Sequence, residues 1–298
     1  MDLVLTLIAP EGALQSEAID QARAIIEDLG GTVGRTGWLK ENTAADILFE
    51  HAPLSGVETK MRAAVPGIDL LAQNAHPDGR KKQLLIADMD STIIPVECLD
   101  ELADFADLKP QISAITERAM RGELDFEAAL DERIGLLAQH GLGEDALQAC
   151  FDTRISLSPG AAVLVKTMRA HGAVTALVSG GFTFFTERVA ELAGFELNRA
   201  NLLEFDGGVL KGVARPILGK EAKRETLIKL CGDAGLSTDH AVAIGDGAND
   251  LAMIEKAGLG VAYRAKPVVA EAARARIDHT DLTTLLYFQG YKVGEFVS

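Results

Sequence analysis

The 298-residue chain predicts an α/β protein in two parts: a small α+β module, then a doubly wound parallel sheet interrupted by a helical insertion. Three observations carry this expectation. Short apolar runs alternate with helical stretches over most of the chain, the pattern that βαβ units leave in a sequence. An acidic, purely helical stretch breaks that alternation from residue 97 to about 150. Residues 74–82 (NAHPDGRKK) are polar and broken by Pro77 and Gly79, which reads as a linker between the two parts.

Taken in order, the first part gives a strand at 3–9, a helix at 16–29 closed by Gly30-Gly31, strands at 33–39 and 46–50, a helix near 57–65 and a strand at 68–73. That βαββαβ order predicts a ferredoxin-like α+β domain over residues 1–76. Nothing in it has the spacing of a catalytic set. Residues 83–87 (QLLIA) then form an apolar run of the kind buried on both faces of a sheet, ending in Asp88-Met89-Asp90-Ser91-Thr92. The helical insertion, a cap over about 97–155, follows. Ser158-Pro159 reads as an N-cap with proline at the first helical position, and that helix runs to Gly172. Alternation then resumes with a strand at 173–178, a turn at Ser179-Gly180-Gly181, a helix through Ala193 and a hairpin around Asp206-Gly207-Gly208. A helix at 220–234, a strand at 241–244 and a turn at Gly245-Asp246-Gly247 complete the series. Residues 77–298 are therefore expected to form a Rossmann-like doubly wound parallel sheet, in which ligands gather at the carboxyl ends of the strands. The tail Leu286-Tyr287-Phe288-Gln289-Gly290 partly resembles the scar of a protease-cleavable tag. It lacks the upstream Glu-Asn and runs on into native-looking sequence, so it counts as protein.

Composition narrows the function. Hydrophobic residues at 48% and charged residues at 24% are those of a globular chain. Lys plus Arg number 29 against 44 Asp plus Glu, and the resulting charge of −15 repels polyphosphate backbones, so no nucleic-acid partner is expected. An anionic substrate needs a local positive pocket built against that field. Cys98, Cys150 and Cys231 are isolated, which suggests neither a disulfide framework nor a thiolate zinc site and fits a reducing cytoplasm. The N-terminal apolar run follows Asp2 and stops at Pro10, unlike a secretory signal, and no run approaches the ~18 residues of a membrane span.

Asp88 and Asp90 stand two apart just past a strand, so an extended backbone puts both side chains on one ligand. Ser179 sits past a second strand; Asp246, with Asn249 and Asp250 behind it, sits past a third. Each alone also reads as a turn. In a parallel sheet the three ends converge on one edge and build one pocket. Crowded carboxylates repel unless a hard cation holds them, and few oxygen ligands completed by water and phosphate are the habit of Mg²⁺.

Asp88-Met89-Asp90-Ser91-Thr92, Ser179-Gly180-Gly181, Lys223 and Gly245-Asp246-Gly247-Ala248-Asn249-Asp250 together resemble the four signature motifs of the haloacid-dehalogenase superfamily of phosphotransferases. Glu97, the stretch Ala119-Met120-Arg121-Gly122-Glu123-Leu124-Asp125-Phe126, Arg133 and the spellings VSGGF and GDGAND narrow the resemblance to its phosphoserine phosphatase family. The likeness covers about residues 84–286; the leading module resembles ACT-type amino-acid-sensing domains less specifically.

The resemblance implies hydrolysis of O-phospho-L-serine to L-serine and phosphate, the closing step of serine biosynthesis. Asp88 would be the nucleophile that forms an aspartyl-phosphate, and Asp90 the general acid and then base. Mg²⁺ would be held by Asp88, the Asp90 backbone carbonyl and Asp246, with Asp250 supporting. Ser179, the Gly180 amide, Lys223 and Asn249 would bind the phosphate. In the cap, Glu97 would take the substrate's ammonium, Arg133 its carboxylate, and Phe126 would wall the pocket. Two other readings stay open: transfer of the phosphoryl group to another hydroxy amino acid such as homoserine, and a non-catalytic amino-acid sensor. A homodimer is also left open.

Overall fold

A computed structural model describes residues 1–121 and 123–298, the side chain of Met120 excepted. Gly122 and the Met120 side chain, both within a stretch that carried the resemblance, lie outside the described residues. The chain opens with β1 (Leu3–Ile8), α1 (Ser16–Asp28), β2 (Thr32–Lys40), β3 (Ala44–Glu50), α2 (Leu54–Ala64) and β4 (Asp69–Asn74), the expected βαββαβ order. The four strands form an antiparallel sheet in the order β2-β3-β1-β4. Ile19, Ala22 and Ile26 of α1 recur at helical spacing and, with Val57 and Met61 of α2, pack against Leu5 and Leu7. The opposite sheet face is covered too, since Ile8, Leu39 and Leu71 share a core with Leu85 and Phe288 from the second part. Burial on both faces is why β1 (LVLTLI) does not alternate apolar with polar.

The segment 74–82 is not a loose linker. It holds a one-turn α3 (Pro77–Arg80), and Arg80 and Lys82 are buried. The Arg80 guanidinium donates to both Asp46 carboxylate oxygens (2.7 and 2.8 Å), to Thr6 Oγ1 (2.9 Å) and to the carbonyl of Phe288 (2.9 Å). Its polar sequence is read correctly as charged and wrongly as solvated, because its partners come from the first strands and the far C-terminus. Asp69 adds a second tie, accepting from the amides of Asp278 (2.8 Å) and Thr280 (3.0 Å).

The second part comprises β5 (Leu84–Ala87), an irregular turn over Met89–Ile93, and the cap helices α4 (Cys98–Phe105), α5 (Lys109–Met120), α6 (Phe126–Gln139) and α7 (Glu144–Arg154). There follow α8 (Ala161–Ala170), β6 (Val174–Phe182), α9 (Thr183–Ala193), β7 (Leu197–Asn201), the hairpin β8 (Leu203–Asp206) and β9 (Val209–Val213), α10 (Lys220–Asp233), β10 (Ala241–Gly245), α11 (Leu251–Lys256), β11 (Leu259–Tyr263), α12 (Pro267–Ala272), β12 (Ala275–Ile277) and α13 (Thr284–Phe288). The six-stranded sheet runs β12-β11-β10-β5-β6-β7 with every pair parallel. β5 lies centrally and is wholly buried, as its uninterrupted apolar run predicts.

Two local expectations need correction, and residues 286–289 pack as the native protein they were read to be. Ser158 does not cap α8, which starts later, after Gly160 in the left-handed region (φ 81°), and among the described residues the Ser158 hydroxyl has no partner. Ser179-Gly180-Gly181 is not a turn but an irregular continuation of β6, held extended because pairing with β7 resumes at Phe182 and Asn201. Leu286 to Gln289 is no scar: the four residues are between 0% and 3% exposed and belong to the α13 segment in the core. Among the described residues no helix is long and apolar enough to cross a membrane.

Candidate active site

The carboxyl ends of β5, β6 and β10 meet at one cavity of about 320 Å³. Its wall includes Asp88, Asp90, Glu97, Phe126, Arg133, Ser179, Gly180, Asp246 and Asn249, so nine of the ten predicted side chains or turns converge. Lys223 is the tenth, and it stands behind the wall. Its ammonium is 1% exposed and clamped between Asp88 Oδ1 and Asp250 Oδ1, at 2.6 Å each. Burial alone would lower its pKa, but the two carboxylates hold it above the ordinary lysine range, so it stays charged.

Asp88 is buried and its Oδ1 is fixed twice, by Lys223 and by the Met89 amide (2.8 Å), which leaves Oδ2 uncommitted among the described residues. Asp90 is aimed by two donors: the Cys98 amide to Oδ1 (2.8 Å) and the Ser179 hydroxyl to Oδ2 (3.0 Å). Burial first, then Glu97 and Asp88, push its pKa up to about 7, so it can hold a proton near neutrality. The Ser179 hydroxyl in turn accepts from the Gly181 amide (2.8 Å). A Cβ at position 181 would press on Ser179 Oγ at 3.1 Å and Asp90 Oδ2 at 3.3 Å, so a larger residue there would push the two aimed groups aside by a few tenths of an ångström.

Asp250 is fully buried, and both of its oxygens are committed: Oδ1 to Lys223, Oδ2 to the amides of Asp246 (3.2 Å) and Gly247 (3.1 Å). Gly245 is required beside it, since any Cβ at 245 would overlap the Asp250 carboxylate. Asp246 is half-buried; burial and then Asp88 push its pKa up to about 6, and among the described residues its carboxylate accepts only one long hydrogen bond, from Thr92 (3.5 Å). Oxygens of Asp88, Asp246 and Asp250 lie within 4.8 Å of one another. Because Asp250 is used up by its donors, Asp88 and Asp246 remain to bind a cation, and a pair of hard carboxylates suits a divalent ion such as Mg²⁺.

At the entry to the cap, Ser91 of the turn after β5 adopts a left-handed backbone (φ 54°) and donates from its hydroxyl to Glu97 Oε1 (2.7 Å). Arg133 on α6 donates from Nε to Ala129 O (3.1 Å), makes no ion pair within 4.0 Å among the described residues, and is lowered in pKa chiefly by burial. Phe126 reaches over Gly180 and is still 47% exposed. Sequence reasoning missed Asn201, which is buried and ties β7 to the site: its amide donates to Gly180 O (2.8 Å) while its carbonyl accepts from Leu218 N (2.6 Å). It also missed Lys266, which lines the cavity at the end of β11.

A buried Asp-Lys-Asp set under a second, aimed carboxyl at the strand ends, with a helical cap above, is the arrangement of a hydrolase acting through an aspartate. The chain belongs to the haloacid dehalogenase-like hydrolases, a family that matches residues 82–258. Its relatives are more particular. The phosphoserine phosphatase of Polaromonas sp. is 46% identical over 225 residues, covering 73% of this chain and 94% of that one. A probable phosphoserine phosphatase from Vibrio cholerae, solved without ligand, matches with a TM-score of 0.80 at 30% identity over 99% of this chain and 88% of that one. A structure described as the phospho-aspartyl intermediate analogue of phosphoserine phosphatase matches with a TM-score of 0.63 at 37% identity, covering 70% of this chain and 99% of that one.

Proposed function

We propose that the chain is a Mg²⁺-dependent phosphoserine phosphatase of the cytoplasm, converting O-phospho-L-serine and water to L-serine and inorganic phosphate. The observation that carries this reading is the charge layout of one cavity: Asp88, Asp90 and Asp246 at the strand ends, with Glu97 and Arg133, not paired to each other, on the wall. A phosphoserine has one group for each: phosphate, ammonium and carboxylate.

In the first half-reaction Asp88 attacks phosphorus, the bond from phosphorus to the serine oxygen breaks, and Asp90 delivers its proton to that oxygen as serine leaves. In the second, Asp90 takes a proton from a water that attacks the acyl phosphate, which releases phosphate and restores the Asp88 carboxylate. Ser179 aims Asp90 in both halves and, with the Gly180 amide and Asn249, faces the phosphate oxygens. Lys223 neutralises Asp88 from behind, easing the approach of one anion to another, and Asp250 keeps that lysine in place. Mg²⁺, held by Asp88, Asp246 and the Asp90 carbonyl, would supply positive charge against the phosphate oxygens. Glu97 and Arg133 fix the amino-acid end, and Phe126 closes an apolar side as the cap shuts. Residues 1–76 form the separate ACT-like module of this reading and residues 77–298 the phosphatase domain, whose small-molecule substrate needs neither nucleic acid nor membrane.

Phosphate release from a panel of phosphomonoesters, with EDTA and with added Mg²⁺, tests the reading. The expected result is a strong preference for phosphoserine that EDTA abolishes and Mg²⁺ restores. Full turnover after exhaustive chelation, or no preference for phosphoserine, contradicts it.

A further inference from the structure

The substrate of the proposed reaction is a dianion at its phosphate end, and it approaches a chain of charge −15. The cavity it enters is lined by five carboxylates, those of Asp88, Asp90, Glu97, Asp100 and Asp246. Two cations are on the wall, Arg133 and Lys266, among the described residues. Lys223 is not available to an arriving ligand, being sealed behind Asp88 with 1% exposure. Arg133 is spoken for by the substrate carboxylate. That leaves Lys266. It follows β11, directly before the proline that opens α12, and its backbone amide donates to the carbonyl of Asp246 (3.2 Å), which fixes it beside the metal-binding strand end. Its side chain is exposed, forms no ion pair within 4.0 Å and no hydrogen bond among the described residues, and lies near enough to Asp246 for its charge to pull that carboxyl's pKa down against burial. An unpaired ammonium on the wall of an acidic cavity is free to meet an anion.

We propose that Lys266 is the phosphate-capturing cation of this site, a binding residue that draws the substrate's phosphate past the acidic rim. The proposal rests on the phosphomonoesterase reading but not on serine being the leaving group. Because Lys266 reads the phosphate alone, its effect is the same for every phosphomonoester. A mouth cation of this kind holds ground state and transition state about equally, so it acts on kcat/KM and leaves kcat nearly untouched. Being exposed, it is screened by salt, with a Debye length of ~8 Å at physiological ionic strength.

The test is Lys266→Gln and Lys266→Arg against wild type, with O-phospho-L-serine and p-nitrophenyl phosphate, at low salt and with ~0.5 M KCl. At low salt Lys266→Gln is expected to lose about 3- to 10-fold in kcat/KM on both esters, with kcat within twofold and inhibition by inorganic phosphate weakened to match. High salt closes the gap, and Lys266→Arg restores most of the loss. A salt-independent loss, a loss carried by kcat, or no loss overturns the proposal; the first two mean that Lys266 shapes the loop at Asp246. If wild type hydrolyses p-nitrophenyl phosphate and ignores phosphoserine, the substrate reading fails while Lys266 is still judged on the ester that turns over.

Discussion

In the proposed reaction, selectivity for the amino-acid end of the substrate falls to Arg133. Its Nε is committed to Ala129 O, and the other two guanidinium nitrogens have no partner among the described residues, a fork ready for a carboxylate. Removing one member of a desolvated, hydrogen-bonded charge pair costs ~2–5 kcal/mol. Arg133 is only half-buried, which puts the loss at the low end. At 1.36 kcal/mol per tenfold, ~2 kcal/mol is about 30-fold in kcat/KM. Phosphoethanolamine keeps the ammonium and lacks the carboxylate, so wild type should disfavour it by about that factor. Arg133→Ala should then lose ~30-fold on phosphoserine and less than threefold on phosphoethanolamine, in parallel steady-state assays of phosphate release. Equal losses on the two substrates would refute the assignment and make Arg133 a support of the cap.

Asp88→Asn should abolish turnover with the fold intact, read by phosphate release alongside circular dichroism; activity within tenfold of wild type would remove Asp88 as nucleophile. Glu97→Gln should weaken phosphoserine and phosphoethanolamine alike by about tenfold while sparing p-nitrophenyl phosphate, since only the first two carry an ammonium; the conversion is 1.36 kcal/mol per tenfold. Arg80→Ala leaves the Asp46 carboxylate with Thr6 in place of its charged partner and removes a donor from the carbonyls of Tyr287 and Phe288, and breaking a buried pair costs ~3–5 kcal/mol. A fall in Tm of about 10 °C is expected, and a fall below about 2 °C would show that the tie contributes little.

The meeting of Asp88, Asp90 and Asp246 at one cavity was legible because it is local. Asp88 and Asp90 end one strand and Asp246 opens the turn after another, and in a parallel sheet such ends share an edge whatever the rest of the chain does. What could not be read depends on partners distant in sequence. Arg80 looks solvated until Asp46 and Phe288 surround it. Ser179 to Gly181 carries the composition of a turn, yet stays extended because Asn201, on the neighbouring strand, holds the Gly180 carbonyl. Lys223 was legible as a lysine of the site, but its place behind Asp88 follows from Asp250, whose position is set by the shape of the Gly245–Gly247 turn. Lys266 went unread because a single lysine before a proline has no spacing partner to mark it.

The central claim, a covalent phosphoryl-aspartate at Asp88, is tested most directly by rapid acid quench with phosphoserine carrying a radiolabelled phosphate. Label should appear on the protein within the first turnover, be released by hydroxylamine, map to the peptide containing Asp88 and be absent from Asp88→Asn. Product formed at full rate with no protein-bound label, or label on a peptide other than that of Asp88, would contradict the account.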